Sequence, residues 1–280
     1  MNLVLAALGP IVHHPFQFNV GPLQFTGFGI AVVVAFLVAQ HISQKEMQRL
    51  GADPAPIGDM IFGAVVGGLL GAKLYFVVVL GHWDAFFARG GFVFWGGLVG
   101  GAIGVLFVAW KKKVPIWRTL EVGAASIAAA YAVGRTGCWA VGDDYGRPWN
   151  GPLATQFPEG APVSSAGIMA REFGAQFPPG TDPNTIVSVH PTQLYEIAMG
   201  MAMFAILWRL RWHRNKEGWL LGVYLVLAGV ERFVVEFFRA KDDRLGIGIT
   251  SAQALAIAAF VLGLALVYAR RGARESVVRA

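Results

Sequence analysis

GRTGCWAVGDDYGRP, residues 134–148, decides how this chain is read. It starts where an apolar segment, Ala124 to Val133, runs out, and it opens a long polar connection. Five breakers, Gly134, Gly137, Gly142, Gly146 and Pro148, predict a backbone that turns repeatedly instead of continuing a helix. Arg135 is the odd residue. At the edge of an apolar helix, a charge facing lipid costs roughly 2.5–3.5 kcal/mol on insertion scales. A chain keeps such a residue where it faces a wet cavity or an anion.

Composition sets the frame for that stretch. The 280 residues are 55% apolar and 14% charged, with a mean hydropathy of +0.54. That balance is too apolar for a soluble domain and fits a multi-span membrane protein. The net charge of +6 does not point to nucleic acid, because the positives are spread over loops between apolar runs. A single cysteine, Cys138, excludes an intrachain disulfide and a cysteine metal cluster. The opening MNLVLAALGP lacks the basic start and the apolar length of a secretory signal, so the spans themselves are expected to direct insertion.

The expected fold is all-α, a polytopic bundle of about seven transmembrane helices with a small periplasmic cap. The spans read Pro22–Gln40, Ile57–Gly81, Phe92–Trp110, Trp117–Val133, Pro191–Leu210, Trp219–Phe238 and Ile249–Ala269, after a short interfacial arm over residues 1–21. Residues 1–280 form one transmembrane domain. Residues 135–189, rich in Pro, Gly and Ser, are an extramembrane insertion between spans four and five, without a sizeable core of its own. Lys45 and Arg49, Lys111–Lys113 and Arg118, Arg209 to Lys216, and Arg270 to Arg279 mark one side of the membrane. The other side carries Arg89, and Arg239, Lys241 and Arg244 offset by Asp242 and Asp243. The positive-inside rule puts the N-terminus and the long connection in the periplasm and the C-terminus in the cytoplasm. Trp83, Trp95, Trp110, Trp117, Trp139, Trp212 and Trp219 fall near span ends, as an aromatic belt does. GGLLGA from Gly67 and GGLVGG from Gly96 read as close helix packing through small residues, or as a transporter-type repeat.

Three stretches carry candidate chemistry. In ERFVVEFFR, Arg232, Glu236 and Arg239 are spaced i, i+4, i+7 on one helix face. Arg232 and Glu236 form an internal ion pair, or Arg232 meets Arg135. Two guanidiniums at one depth repel unless an anion lies between them, and their planar forks suit phosphate oxygens. In HPTQLYE, Pro191 fits a first helical turn, placing His190 at the helix N-terminus with Gln193 and Glu196 on one face. That group is either a cap with an interior carboxylate or the lining of a polar pocket. Asp59 and Glu121 are expected to reach headgroups, whereas Lys73 lies deeper. Cys138 is a nucleophile beside Arg135 or a small residue in a tight turn. Asp143 and Asp144 lack the further spacing of a cation site. Together the stretches imply an enzyme handling an anionic lipid at a membrane surface. The rival class is a small-solute transporter with a buried charged gate.

GRTGCWAVGDDYGRP, HPTQLYE and ERFVVEFFR, in this order and with FWGGLVGG in span three, resemble the prolipoprotein diacylglyceryl transferases of bacterial inner membranes. The resemblance implies transfer of the diacylglyceryl group from phosphatidylglycerol to the lipobox cysteine thiol of a preprolipoprotein signal peptide, without metal or organic cofactor. On it, Arg135 and Arg232 match essential arginines, Gly146 an invariant turn glycine and Glu236 a carboxylate near the site. Arg135, Arg232, Glu236 and His190 are the candidate catalytic residues. Arg135, Gly146, Arg147, Arg232, Arg239, Gln193, Glu196 and Trp95 are the candidate substrate contacts. The chain departs from the family's pattern at Trp95, where a histidine is usual, at Cys138, where an asparagine is usual, and at Thr26 in place of a tyrosine. A relative that binds phosphatidylglycerol without turnover is the alternative.

Overall fold

A computed structural model describes residues 10–87, 91, 93–240 and 248–272. The start of the expected arm, residues 1–9, lies outside them, as do Arg89, Lys241 to Arg244, Arg274 and Arg279. The protein is mostly helical. Its helices are α1 (Gly27–Arg49), α2 (Pro56–Leu80), α3 (Phe94–Lys111), α4 (Ile116–Val141), α5 (Ala166–Phe173), α6 (Thr192–Leu210), α7 (Trp219–Glu236) and α8 (Ser251–Ala269). Four of them, α1, α2, α3 and α8, are long and apolar enough to cross a membrane. Of the other long ones, α4 carries Arg118, Glu121 and Arg135, α6 carries Glu196 and Arg209, and α7 carries Glu231, Arg232 and Glu236.

An all-helical reading leaves out two small sheets. Strands β2 (Gln17–Val20) and β3 (Leu23–Thr26) form an antiparallel hairpin, with Gly21 at φ 59° supplying the left-handed turn residue. Expected span one therefore starts late, at Gly27. The Thr26 hydroxyl accepts the Gly29 amide at 3.2 Å and caps α1. Strand β1 (Ile11–Val12) pairs in parallel with β4 (Thr155–Gln156).

Packing centres on α4, which lies against α1, α6 and α7. Ala124, Ala125 and Ala128 are wholly buried there, beside Leu207 of α6 and Leu220 of α7. Small side chains let three neighbours approach one helix. Contrary to expectation, α4 continues through Gly134 and Gly137 to Val141 and ends at Gly142, φ 70°. A Cβ at Gly137 would lie 2.9 Å from that of Ala31, so this glycine marks close contact with α1. Glu121 also departs from its expected place at the headgroups. It is 2% exposed and accepts from His213 Nε2 at 2.6 Å and from the Gly218 and Leu220 amides at 2.7 and 3.1 Å, capping α7. Asp59 pairs with Lys112 at 2.6 Å.

The connection from Gly142 to Pro191 is more ordered than its composition predicts. Phe157, Met169 and Val189 are fully buried and, with Tyr145 and with Ala240 from the segment after α7, make a small core. Trp139 packs on His13 and Phe157 beside that core.

The α2–α3 pair is held by glycine against glycine. A Cβ at Gly63 would sit 2.8 Å from the Gly104 carbonyl oxygen, and one at Gly100 would strike the Gly67 carbonyl and lie 2.9 Å from Gly71 Cα. This is the close packing the repeated glycine pairs suggest. Gly100→Val is expected to destabilise the protein by about 1–3 kcal/mol, measured as a lower unfolding midpoint in detergent. Gly123→Val, at a position where a Cβ meets only the Ile127 side chain at 3.6 Å, is the control and is expected to change it little.

Candidate active site

The C-terminal third of α4, the first turns of α6 and the segment leaving α7 meet around four charged groups. Arg135 reaches Asp144 Oδ2 with Nη1 and Glu196 Oε1 with Nη2, both at 2.7 Å. Arg239 reaches the other Asp144 oxygen, Oδ1, at 2.8 Å, and lies 3.8 Å from Glu196 Oε1. Two guanidiniums thus share two carboxylates. Glu196 has no exposed surface, whereas the Asp144 side chain is 39% exposed. Arg232 stands one step away. Its Nη2 lies 2.7 Å from Glu236 Oε2, and Arg239 Nε lies 3.7 Å from that same oxygen. Glu231, 4% exposed, accepts from the Tyr131 hydroxyl at 2.8 Å.

Helix spacing alone puts Arg232, Glu236 and Arg239 on one face. The helix stops at Glu236, however, and the chain folds back, so Arg239 and not Arg232 comes to Arg135. A short antiparallel contact fixes that return. Gly146 N donates to His190 O at 2.8 Å, Arg147 N to Phe238 O at 2.8 Å, and His190 N to Arg147 O at 3.0 Å. Arg147 acts through its side chain as well, donating from Nε to the Arg239 carbonyl at 2.8 Å. Gly146 is not a turn residue with positive φ. A Cβ there would lie 2.7 Å from His190 Cβ and 2.8 Å from Thr192 Cγ2, so it is a point of close approach. The Thr192 hydroxyl donates to the Asp144 carbonyl at 2.6 Å and Gln193 Nε2 donates to the Asp143 carbonyl, tying the acidic pair to the start of α6.

His190 stacks on Trp149, 4.3 Å between centroids and 10° from parallel, with Nδ1 3.2 Å from the Tyr195 hydroxyl. Burial lowers its proton affinity, so the imidazole is neutral at pH 7. Trp95, near the start of α3, is half exposed and edge-on to Phe94; none of the described bonds of the charged cluster involves it. Cys138 is buried, with Arg135 Nη1 3.5 Å from its sulfur. Cys138 Sγ and the Asp143 and Asp144 carboxylates lie within 4.8 Å of one another, but both Asp144 oxygens are already held by guanidiniums. Asp143 is pushed up to about 6 by burial and by Asp144 beside it. Burial would also raise Asp144, yet Arg239 and Arg135 outweigh it and hold its carboxyl at about 2. Sequence reasoning placed Arg135, Glu196 and Arg239 among the contacts. It missed Asp144 and the Glu231–Tyr131 pair, although the charge of Glu231 inside an apolar helix was a signal for the latter.

A profile of the prolipoprotein diacylglyceryl transferase family matches residues 15–269. Several curated relatives bear the name phosphatidylglycerol–prolipoprotein diacylglyceryl transferase. That of Clostridium tetani is 27% identical over 89% of this chain and 95% of its own length. That of Paraburkholderia phymatum is 29% identical over 92% and 94%. That of Bordetella avium is 30% identical over 93% and 97%.

Asp144, depressed in the folded state, contributes stability above the unfolded carboxylate pKa of about 3.9. That contribution is lost as pH falls toward about 2. The unfolding midpoint of Asp144→Asn in detergent is therefore expected to lie below that of the unaltered protein at pH 6. The gap is expected to close as both are taken to pH 2.

Proposed function

Given that the chain belongs to the prolipoprotein diacylglyceryl transferase family, we propose that it moves the diacylglyceryl group of phosphatidylglycerol onto the lipobox cysteine thiol of a preprolipoprotein. The observation that supports this chemistry in the site is the convergence of Arg135 and Arg239 on shared carboxylates, with Arg232 joined through Glu236. These cations supply planar forks for a lipid phosphate.

Both substrates are anchored in the bilayer, one by two acyl chains and the other by an apolar signal helix. Lateral entry keeps those chains in lipid, where each buried CH₂ contributes roughly 0.8 kcal/mol. The thiolate attacks the glycerol carbon that bears the phosphate. A C–S bond forms, the C–O bond breaks, and the electron pair leaves with glycerol phosphate. Negative charge grows on the phosphate as that bond breaks, and fixed guanidiniums stabilise it more than the ground state. A free thiol has a pKa of about 8.5 and must lose its proton. His190, neutral and beside the Gly146 contact, is the candidate base.

The same reading places the chain in a bacterial inner membrane as one domain of seven spans, α1–α4 and α6–α8. The N-terminus and the connection after α4 face the periplasm and the C-terminus the cytoplasm. The clustering of charge where α4, α6 and α7 meet the connection favours a surface-facing reaction site over a transport gate at mid-membrane.

The purified protein with phosphatidylglycerol and a lipobox peptide is expected to add one diacylglyceryl mass to the peptide. Arg135→Ala and Arg232→Ala are each expected to reduce that transfer by at least about 10²-fold while still inserting. Full transfer by either variant contradicts the phosphate role of that residue. A flux of solute in proteoliposomes without peptide modification contradicts the function.

A further inference from the structure

The four shared charges around Arg135 cancel: two guanidiniums face two carboxylates. A lipid phosphodiester brings one more negative charge to that place. It binds well only if one carboxylate gives way, because an unbalanced charge in a partly buried site is costly. Glu196 is not the one that leaves. It has no exposed surface and sits on the second turn of α6 with both arginines against it. Asp144 is different on every count. It lies on the loop past α4, its side chain is 39% exposed, and each of its oxygens is held by one guanidinium. Its main chain is pinned independently, by the Thr192 hydroxyl on its carbonyl. Its φ of 57° belongs to the left-handed region, which non-glycine residues seldom occupy. The carboxylate can therefore rotate outward while the backbone stays in place.

We infer that Asp144 is an exchangeable internal anion: it fills the fork between Arg135 and Arg239 until the phosphate of the lipid replaces it, and it thereby sets the affinity of the site for anionic lipid. The inference rests on the phosphate role of these arginines proposed above, and it adds a residue that competes with substrate. The carboxylate keeps the arginines oriented between turnovers. It also returns to the fork when glycerol phosphate departs, which speeds release of a product more highly charged than the substrate. Because Arg239 and Arg135 keep the carboxyl ionised, this competition persists across physiological pH.

The test measures binding of phosphatidylglycerol, with uncharged diacylglycerol as the reference lipid, in Asp144→Asn and in the protein as it stands. Asparagine tolerates a left-handed backbone and has no charge to compete. If Asp144 fills the fork about nine-tenths of the time, its removal tightens apparent binding about 10-fold. Diacylglycerol binding is expected to stay unchanged, and the lowered unfolding midpoint of the variant is expected to recover when phosphatidylglycerol is added. Asp144→Gly, suited to the same positive φ, is measured alongside so that a misfolded asparagine variant does not decide the matter. Equal or weaker phosphatidylglycerol binding by the folded variants, with binding by the unaltered protein intact, overturns the inference and leaves the transferase reading standing. Failure of the unaltered protein to prefer phosphatidylglycerol over diacylglycerol overturns both.

Discussion

Glu196 is a carboxylate with no exposed surface, held by guanidiniums from two other parts of the chain. A buried charge is tolerated only where partners compensate it, and removing one partner from such a group typically costs 3–5 kcal/mol. That constraint brings the end of α4, the start of α6 and the return after α7 to one place. The alanine-rich surface of α4 makes the approach sterically possible. The glycine-lined α2–α3 pair and the apolar α8 complete the bundle, and none of the ion pairs described for the charged cluster involves them.

The central geometry separates two kinds of arginine. Arg135 and Arg239 form the fork, and Arg232 joins it through Glu236. Arg147 and Gly146 build the strand-like contact that holds Arg239 in place, one by donating to its carbonyl and the other by leaving room for His190 and Thr192. An orienting network of this kind keeps donors fixed where charge develops, the condition under which electrostatic stabilisation of a leaving group is large. On the proposed phosphate role of the fork, an exchangeable Asp144 explains why the site is charge-balanced in itself. Stability without lipid and affinity for lipid pull in opposite directions at this residue, a familiar compromise at functional sites.

The long helices were legible from hydrophobic runs, because an apolar stretch of about 20 residues leaves a long signal. The ends of α2, α3, α6 and α7 lie within two residues of their expected places. What misled was local chemistry taken without its packing. Glycines in Gly134–Val141 read as turn formers, yet the helix runs on to Gly142, and Gly137 sits where α1 packs too closely for a side chain. Charge spacing in ERFVVEFFR read as one helix face, but the helix ends at Glu236 and turns Arg239 back toward Arg135. The pairing of Ile11 with Thr155 and the core around Phe157 join residues far apart in sequence, for which periodicity carries no signal. Asp144 was visible only as half of an acidic pair, since its partners come from three segments.

A structure of the protein with bound phosphatidylglycerol tests the account most directly. The account predicts phosphate oxygens within about 3 Å of both the Arg135 and Arg239 guanidiniums, with Glu196 still in place and the Asp144 carboxylate turned out of the fork. A phosphate bound away from these two arginines, with Asp144 still bridging them, contradicts it.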